Sequence, residues 1–256
     1  MSALSELRPT GINVLDNPVT APEKAAFVRQ MFDDIAPRYD LLNSVLSAGI
    51  HHSWRVFATR CTLLKPGDSA LDVCTGTGDW TTLLRGVVGE TGRVIGVDFS
   101  LPMLRNGAAR FDNAHAGRAQ GDASRLPFGD AEFEAVTVAF GIRNVAEREK
   151  AFREMYRVTR PGGRVVCLEF SQPPAGLFRS FYDLYSRYVM PKLGGAISGR
   201  PDAYAYLPES VTRFETRSEL ADTMRRAGWH SVRWVDLTFG LVCVHVGEKP
   251  QAAPGL

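Results

Sequence analysis

Leu71-Asp72-Val73-Cys74-Thr75-Gly76-Thr77-Gly78-Asp79 is the stretch that decides the fold of this chain. Small apolar residues from Ala70 to Cys74 suit a strand covered on both faces. Gly76 and Gly78 then let the backbone turn tightly and approach a ligand with no Cβ in the way. A helix is expected to follow. Strand, glycine turn and helix in succession make a nucleotide-type binding turn, and the open question is which nucleotide.

Working outward, Trp80 to Val88 reads as that helix, ended near Gly89. Arg93 to Asp98 is a second strand with an acidic end, and Ser100 is placed to cap a helix over Leu101 to Phe111. A third strand falls near Arg118 to Gln120, followed by Gly121-Asp122-Ala123, and a fourth runs from Phe133 to Phe140. A helix over Glu147 to Thr159 and the turn Arg160-Pro161-Gly162-Gly163 lead into a fifth strand, Arg164 to Phe170. This alternation predicts an α/β fold with a doubly wound, mostly parallel sheet and right-handed crossovers.

Before the first strand, Phe27, Met31 and Ile35 mark a helix begun by Pro22 and ended by Pro37. Tyr39 to Arg55 forms a second helical segment broken at Gly49. These segments are placed to cover the top edge of the sheet, or serve only as amphipathic packing helices. Ser171 to Thr216 breaks the rhythm with a run of Tyr and Phe and a Gly194-Gly195 joint, and reads as an inserted helical cap. After a helix over Arg217 to Ala227, strands at Val232 to Leu237 and Val242 to Val246 close the sheet as an antiparallel pair. Residues 23–249 are then one domain, with tails at 1–22 and 250–256.

The 256 residues carry a net charge of +2 and no basic run, which argues against nucleic acid as a partner. No apolar stretch approaches the roughly 18 residues that span a bilayer, and the first residues lack the apolar core of an export signal. The four cysteines, Cys61, Cys74, Cys167 and Cys243, contain no C-x-x-C pair, so neither a zinc site nor a disulfide framework is indicated, and no metal is expected. A cytoplasmic protein with reduced thiols is the plain reading.

The dinucleotide fingerprint needs a third glycine, and Thr81 stands in its place. Asp79 also puts a carboxylate near a helix N-terminus, where a phosphate would otherwise sit. Both features favour S-adenosylmethionine, which is cationic and has no phosphate. Asp98, about 20 residues beyond the turn, is positioned for both ribose hydroxyls. Asp122 and the Ala123 backbone N–H can meet an adenine edge.

The runs DVCTGTGD, GVDFS, GDASRLPFGDAEFEAVTVAFGIRNV and RVTRPGGRVVCLEFS resemble a class I S-adenosylmethionine-dependent methyltransferase, Rossmann-like with seven strands. Tyr39 to Trp54 (YDLLNSVLSAGIHHSW), FGIRNV and YAYLPESVTRF are more specific, and resemble the UbiE/MenG family of ubiquinone and menaquinone biosynthesis C-methyltransferases over about residues 24 to 247. The resemblance implies that Gly76, Thr77 and Gly78 line the methionine side of the cofactor, Asp98 the ribose, and Asp122 with Ala123 the adenine. It implies methyl transfer to a ring carbon of a polyprenyl quinol, demethylmenaquinol or alternatively a methoxy-benzoquinol. Ala139 departs from the serine some members carry there.

A reduced, hydroxylated ring attacks the methyl through carbon, especially as its phenolate, and then loses a proton. Arg143 and Asn144, just past the fourth strand, are placed to stabilise the phenolate and to hydrogen-bond the second oxygen. The plainer role for Arg143 is an ion pair to a helix carboxylate. Water is the expected carrier of the ring proton; Tyr39, Asp40, Asn43 and His51 are second candidates for closing over the ring, with His51 titrating near neutrality and able to take the proton, although a lone His is more often structural. An aromatic groove in the cap would suit a prenyl tail and bring the enzyme transiently to the inner face of the cytoplasmic membrane. A homodimer is one option for its assembly. The alternatives weighed are an O- or N-methyltransferase, an NAD(P)-dependent oxidoreductase, which the missing third glycine and absent Tyr-x-x-x-Lys pair disfavour, and a non-catalytic cofactor-binding subunit.

Overall fold

The computed structural model describes residues 20–251, apart from 112–114, 191 and 195–200. Its sheet has seven strands in the order β3-β2-β1-β4-β5-β7-β6. The strands are β1 (Ser69–Val73), β2 (Arg93–Asp98), β3 (Ala116–Gln120), β4 (Phe133–Ala139), β5 (Thr159–Phe170), β6 (His230–Leu237) and β7 (Val242–Glu248). The first five pair in parallel, and β7 runs antiparallel between β5 and β6. Strand order therefore reverses between β1 and β4, the position where open α/β sheets bind ligands beyond their C-terminal ends.

Alternation along the strands sends side chains to two cores. Val165 and Cys167 of β5 join Phe133, Phe152, Met155, Met224 and Trp229 on one face. Val166 and Leu168 join Trp54, Ala58, Trp80 and Leu84 on the other. The first core packs α7 (Arg148–Val158) and α10 (Arg217–Arg226), and the second α3 (Ile50–Cys61) and α4 (Asp79–Val88).

The N-terminal segments form α1 (Ala21–Ile35), a 3-10 turn at Ala36–Arg38, α2 (Tyr39–Leu46) and α3. Thr20 and Glu23 make a capping box at the start of α1, so of the expected tail at 1–22 only residues before 20 lie outside the described residues. The helix expected over Leu101 to Phe111 is two pieces, α5 (Leu101–Asn106) and α6 (Ala108–Phe111), divided at Gly107. A Cβ there would strike the Thr77 carbonyl, so this residue sits hard against the glycine turn. The cap holds α8 (Leu177–Leu184), one π turn at Tyr185–Val189 and α9 (Pro201–Thr212); Gly195 of the expected joint lies outside the described residues.

Candidate active site

Asp72, buried in β1, organises the glycine turn. Its carboxylate accepts hydrogen bonds from Thr75 (2.7 Å), Thr81 (3.1 Å) and Thr137 (2.8 Å). Thr81, standing where a dinucleotide site has its third glycine, thus ties α4 back to β1. Burial raises the Asp72 carboxyl pKa, and the three hydroxyls counter that rise.

A cavity of about 580 Å³ opens where the strands end. Cys74 and Gly76 follow β1, Asp98 and Phe99 come from the end of β2, Asp122 and Ala123 follow β3, and Ala139 ends β4 with Phe140 and Gly141 after it. Helix α1 contributes Pro22, Ala25, Val28 and Phe32 to the wall. It is fastened there by Arg29, which donates to the Phe99 carbonyl (3.0 Å), and by Asp33, which accepts from Ser100 Oγ (2.5 Å).

The Asp98 carboxylate accepts backbone N–H bonds from Gly76 (2.8 Å) and Ser100 (2.9 Å), one on each oxygen. A second lone pair on each oxygen is left for a diol. Burial pushes its pKa up to about 6. Asp122 accepts from both the backbone N–H and the hydroxyl of Ser124 on Oδ1, at 2.8 and 2.7 Å.

Thr77 and Gly78 are not among the residues lining this cavity. The Thr77 hydroxyl donates to Asp40 (2.5 Å), joining the glycine turn to α2. Gly78, with φ +88°, makes room for the Phe111 ring, which a Cβ would meet at 2.6 Å. Arg110 completes this junction by pairing with Asp40 (2.8 Å) and Asp79 (3.1 Å) and donating to the Thr77 carbonyl (3.1 Å).

The charge argument built on Asp79 is therefore corrected, because that carboxylate serves Arg110 and does not line the cavity. The preference it was meant to explain comes from other residues. The lining includes Asp98, Asp122 and Glu147 and, among the described residues, no Lys, Arg or His. Such a wall repels a pyrophosphate and suits a sulfonium and an ammonium. The cavity's volume and the paired acceptors of Asp98 fit S-adenosylmethionine. Asn144 adds a buried amide Nδ2 with no partner and lines the same cavity.

A second cavity, of about 500 Å³, meets the first at Phe32, Tyr39 and Phe140. Its wall is largely aromatic and aliphatic, with Trp54, Phe170, Phe178, Phe181, Tyr182, Tyr185 and Tyr206 among its residues. Helix α8 has no buried residue, so its aromatic stripe faces this space and the surface. Tyr185 anchors the cap by donating to the Leu46 carbonyl of α2 (3.0 Å). Among the described residues no Asp or Glu lines the cavity, whereas Arg55, Arg143 and His51 do.

Of the residues expected around the ring, Arg143 lies on this wall but is spoken for. Its Nη1 pairs with Glu169 Oε1 at 2.7 Å, both side chains are buried, and its guanidinium lies over the Phe170 ring. The partner is a carboxylate on strand β5, not on a helix. Free stabilisation of a phenolate by Arg143 is thus corrected to a charge already balanced by Glu169. Asn144 Oδ1 accepts from the Tyr206 hydroxyl (3.2 Å), and Tyr39 stands between the two cavities with its phenol pKa raised by burial.

His51 does not titrate near neutrality. Burial, then the charges of Arg55 and His52, push it down to about 4. Ser47 spends its only hydroxyl proton on the Asn43 carbonyl (2.6 Å), so His51 Nδ1, 2.7 Å from Ser47 Oγ, carries the ring proton. Its Nε2 keeps the lone pair. Sequence reasoning overlooked Arg55, Glu169, Phe140 and Arg110. Arg55 ended the quoted Tyr39 to Arg55 segment, and Phe140 ended a strand, but nothing in their neighbourhood marks them as facing a common space.

Residues 20–249 match the model of the ubiE/COQ5 methyltransferase family. Demethylmenaquinone methyltransferases of Bacillus cereus and Bacillus anthracis are 42% identical over 228 residues, covering 88% of this chain and 96% of each relative. A SAM-dependent methyltransferase from Thermotoga maritima superposes with a TM-score of 0.60 at 20% identity, covering 86% of this chain and 98% of that one. Phosphoethanolamine N-methyltransferase 2 of Haemonchus contortus, in complex with S-adenosyl-L-methionine, has a TM-score of 0.55 at 17% identity, covering 80% and 57%. These two likenesses concern the fold.

Proposed function

The chain belongs to the ubiE/COQ5 methyltransferase family and is an S-adenosylmethionine-dependent methyltransferase, and we propose that it methylates a ring carbon of demethylmenaquinol, giving menaquinol. The observation that carries this reading is the junction of an acidic cavity with an aromatic one at Phe32, Tyr39 and Phe140. Bound in the first cavity, S-adenosylmethionine supplies an electrophilic methyl group whose bond to sulfur breaks as the new carbon–carbon bond forms.

Asp98 holds the ribose diol, and Asp122 with the Ala123 N–H takes the adenine edge. Gly76 keeps the backbone low beneath the cofactor, while Thr77 and Gly78 act by shaping the turn. The Asn144 amide, its oxygen held by Tyr206, donates Nδ2 to an oxygen at the junction. Tyr39 and Phe140 flank the point where ring carbon and methyl must come within about 3–3.5 Å and align. The proton lost from the ring goes to His51 Nε2, the unprotonated nitrogen of a neutral imidazole. Arg143, paired with Glu169, holds the wall in shape.

The prenyl tail leaves along α8. Leu177, Phe181, Leu184, Tyr188 and Phe239 are exposed beside the mouth of the aromatic cavity, more apolar surface than solvent contact favours. Among the described residues no helix is long and apolar enough to cross a membrane, so this patch is proposed to rest on the bilayer that carries the substrate.

The test is a product assay with purified protein, S-adenosylmethionine and either demethylmenaquinol or a methoxy-benzoquinol. Methylated naphthoquinol with little benzoquinol product is expected. Turnover of neither quinol by protein that binds S-adenosylmethionine would remove the proposed acceptor.

A further inference from the structure

Resting on the quinol reading above, we propose that Arg55 of α3 is the residue that binds the ionised ring oxygen of the acceptor. Arg55 and Arg143 are both buried on the wall of the aromatic cavity, and the two differ in what they already hold. Arg143 is paired with Glu169 and also donates to the Phe140 carbonyl. Arg55 forms no ion pair among the described residues. Among the described residues its guanidinium makes one hydrogen bond, a long one from Nη1 to the His51 carbonyl (3.3 Å), and its buried Nε has no partner.

An arginine that is 5% exposed with an unpartnered Nε is costly to keep. Burying a polar group without a hydrogen bond costs about 1–3 kcal/mol by mutational measures, and a charge costs more. Among the described residues no carboxylate pairs with Arg55; only the Phe140 ring and the more distant Asp72 charge offset part of that cost. Its guanidinium lies 5.4 Å from the centre of the Phe140 ring, the ring that separates this cavity from the acidic one. The charge therefore stands beside the place where the acceptor ring meets the methyl donor. An anionic oxygen is the ligand such a group lacks, and a fork of N–H donors suits it.

The arrangement also couples Arg55 to His51, one helical turn away on the same face. The groups facing this pair are His52 on α3, Asp40 and Tyr39 on or beside α2, Asp72 on β1, Asp79 on α4, and Arg143 after β4. With the cavity free of an anion, the Arg55 charge helps hold His51 neutral. An oxyanion on Arg55 balances that charge and makes His51 a better proton acceptor once the acceptor is in place. The base strengthens when it is needed.

Electron flow is balanced by the groups named. The oxyanion held at Arg55 releases its electron pair into the ring, the ring carbon bonds to the methyl as the methyl–sulfur bond breaks and its electron pair stays on sulfur as a neutral thioether, and the proton on that carbon passes to His51 as the oxyanion is restored. Arg55 itself neither gains nor loses a proton.

The experiment compares wild type, Arg55→Met, Arg55→Lys and Arg55→Gln with demethylmenaquinol, and measures the ionisation of bound naphthol by its absorbance. For Arg55→Met we expect kcat/KM to fall roughly 10²–10³-fold, as for loss of one oxyanion donor, with the S-adenosylmethionine dissociation constant within twofold of wild type. Bound naphthol should ionise at lower pH than free naphthol in wild type and Arg55→Lys, and lose that shift in Arg55→Met. A methionine variant within threefold of wild type that keeps the naphthol shift overturns the proposal. If the methionine variant fails to bind S-adenosylmethionine, lysine and glutamine decide, and equal turnover by those two overturns it. A wild type that methylates no quinol instead removes the functional reading beneath it.

Discussion

The two cavities that meet at Phe140 are built in different ways and carry opposite charge. The acidic one takes its polar floor from residues at the ends of β1, β2, β3 and β4, which the topology of the sheet brings together, with α1 closing one wall. The aromatic one is assembled by α1, α2 and α3, by the cap, by Phe140, Arg143 and Phe170 at the ends of β4 and β5, and by Thr238 and Leu241 near the end of the chain. Its geometry depends on helix packing across long stretches of sequence. A cationic donor is matched by Asp98, Asp122 and Glu147, and an anionic ring by Arg55. Keeping the two potentials on opposite sides of Phe140 and Tyr39 disfavours each ligand in the other's place.

If the aromatic cavity depends on tertiary packing, its buried pair should carry fold stability more than affinity. Glu169→Ala leaves Arg143 buried without its partner, and removing one member of such a pair costs about 3–5 kcal/mol. The expected result in urea denaturation is a fall of that size. Replacing Arg143 and Glu169 together by methionine should restore most of it. A single-variant loss below about 1 kcal/mol would mean the wall is held by other contacts.

The acidic cavity should respond in the reverse manner, losing affinity while keeping its fold. Asp98→Asn removes a charged acceptor worth about 1.5–3 kcal/mol per hydrogen bond, so S-adenosylmethionine binding should weaken by roughly 10²-fold in calorimetry. The pH dependence follows from a carboxyl that titrates at about 6 in the folded chain. Above that value it is an acceptor for the diol, and as pH falls through it protonation removes the acceptor, so affinity declines on the acid side. Asp98→Asn should be flat over the same range. An asparagine variant with wild-type affinity at pH 7 would detach Asp98 from the ribose.

The same contrast explains what could be read from the sequence. The seven strands, the antiparallel closing pair and the turn at Gly76 follow from local patterns, and so do the acidic strand ends at Asp98 and Asp122. Each of those patterns lies within one strand–turn–helix unit. The Arg143–Glu169 pair joins residues 26 apart on neighbouring strand ends, and the Arg110 junction joins α2, α4 and α6. Sequence alone gives no register between such elements. Asp79 illustrates this, since a carboxylate at a helix N-terminus reads locally as facing the ligand, whereas Arg110, 31 positions on, pairs with it. The His51 pKa fails for a related reason, because burial and the Arg55 charge are tertiary facts.

The smallest expected effect probes where the aromatic cavity ends. Helix α8 presents Phe178 and Tyr182 to the cavity while Leu177, Phe181 and Leu184 are exposed at its rim. If this rim rests on a bilayer, only part of each side chain leaves water. Full burial of a Leu or Phe is worth about 1.5–3 kcal/mol, so Leu177→Ser with Phe181→Ser should lower partitioning onto vesicles by about tenfold rather than abolish it. Vesicle sedimentation measures this directly. Turnover of a water-soluble quinol with a short tail should stay within twofold of wild type, because Leu177 and Phe181 are 93% and 68% exposed. Equal loss on soluble and vesicle-borne substrate would place these residues in the ring site instead. Loss confined to vesicles would mark the rim as the boundary between the cavity and the membrane, leaving the inner wall of Phe140, Phe170 and Arg55 to the ring.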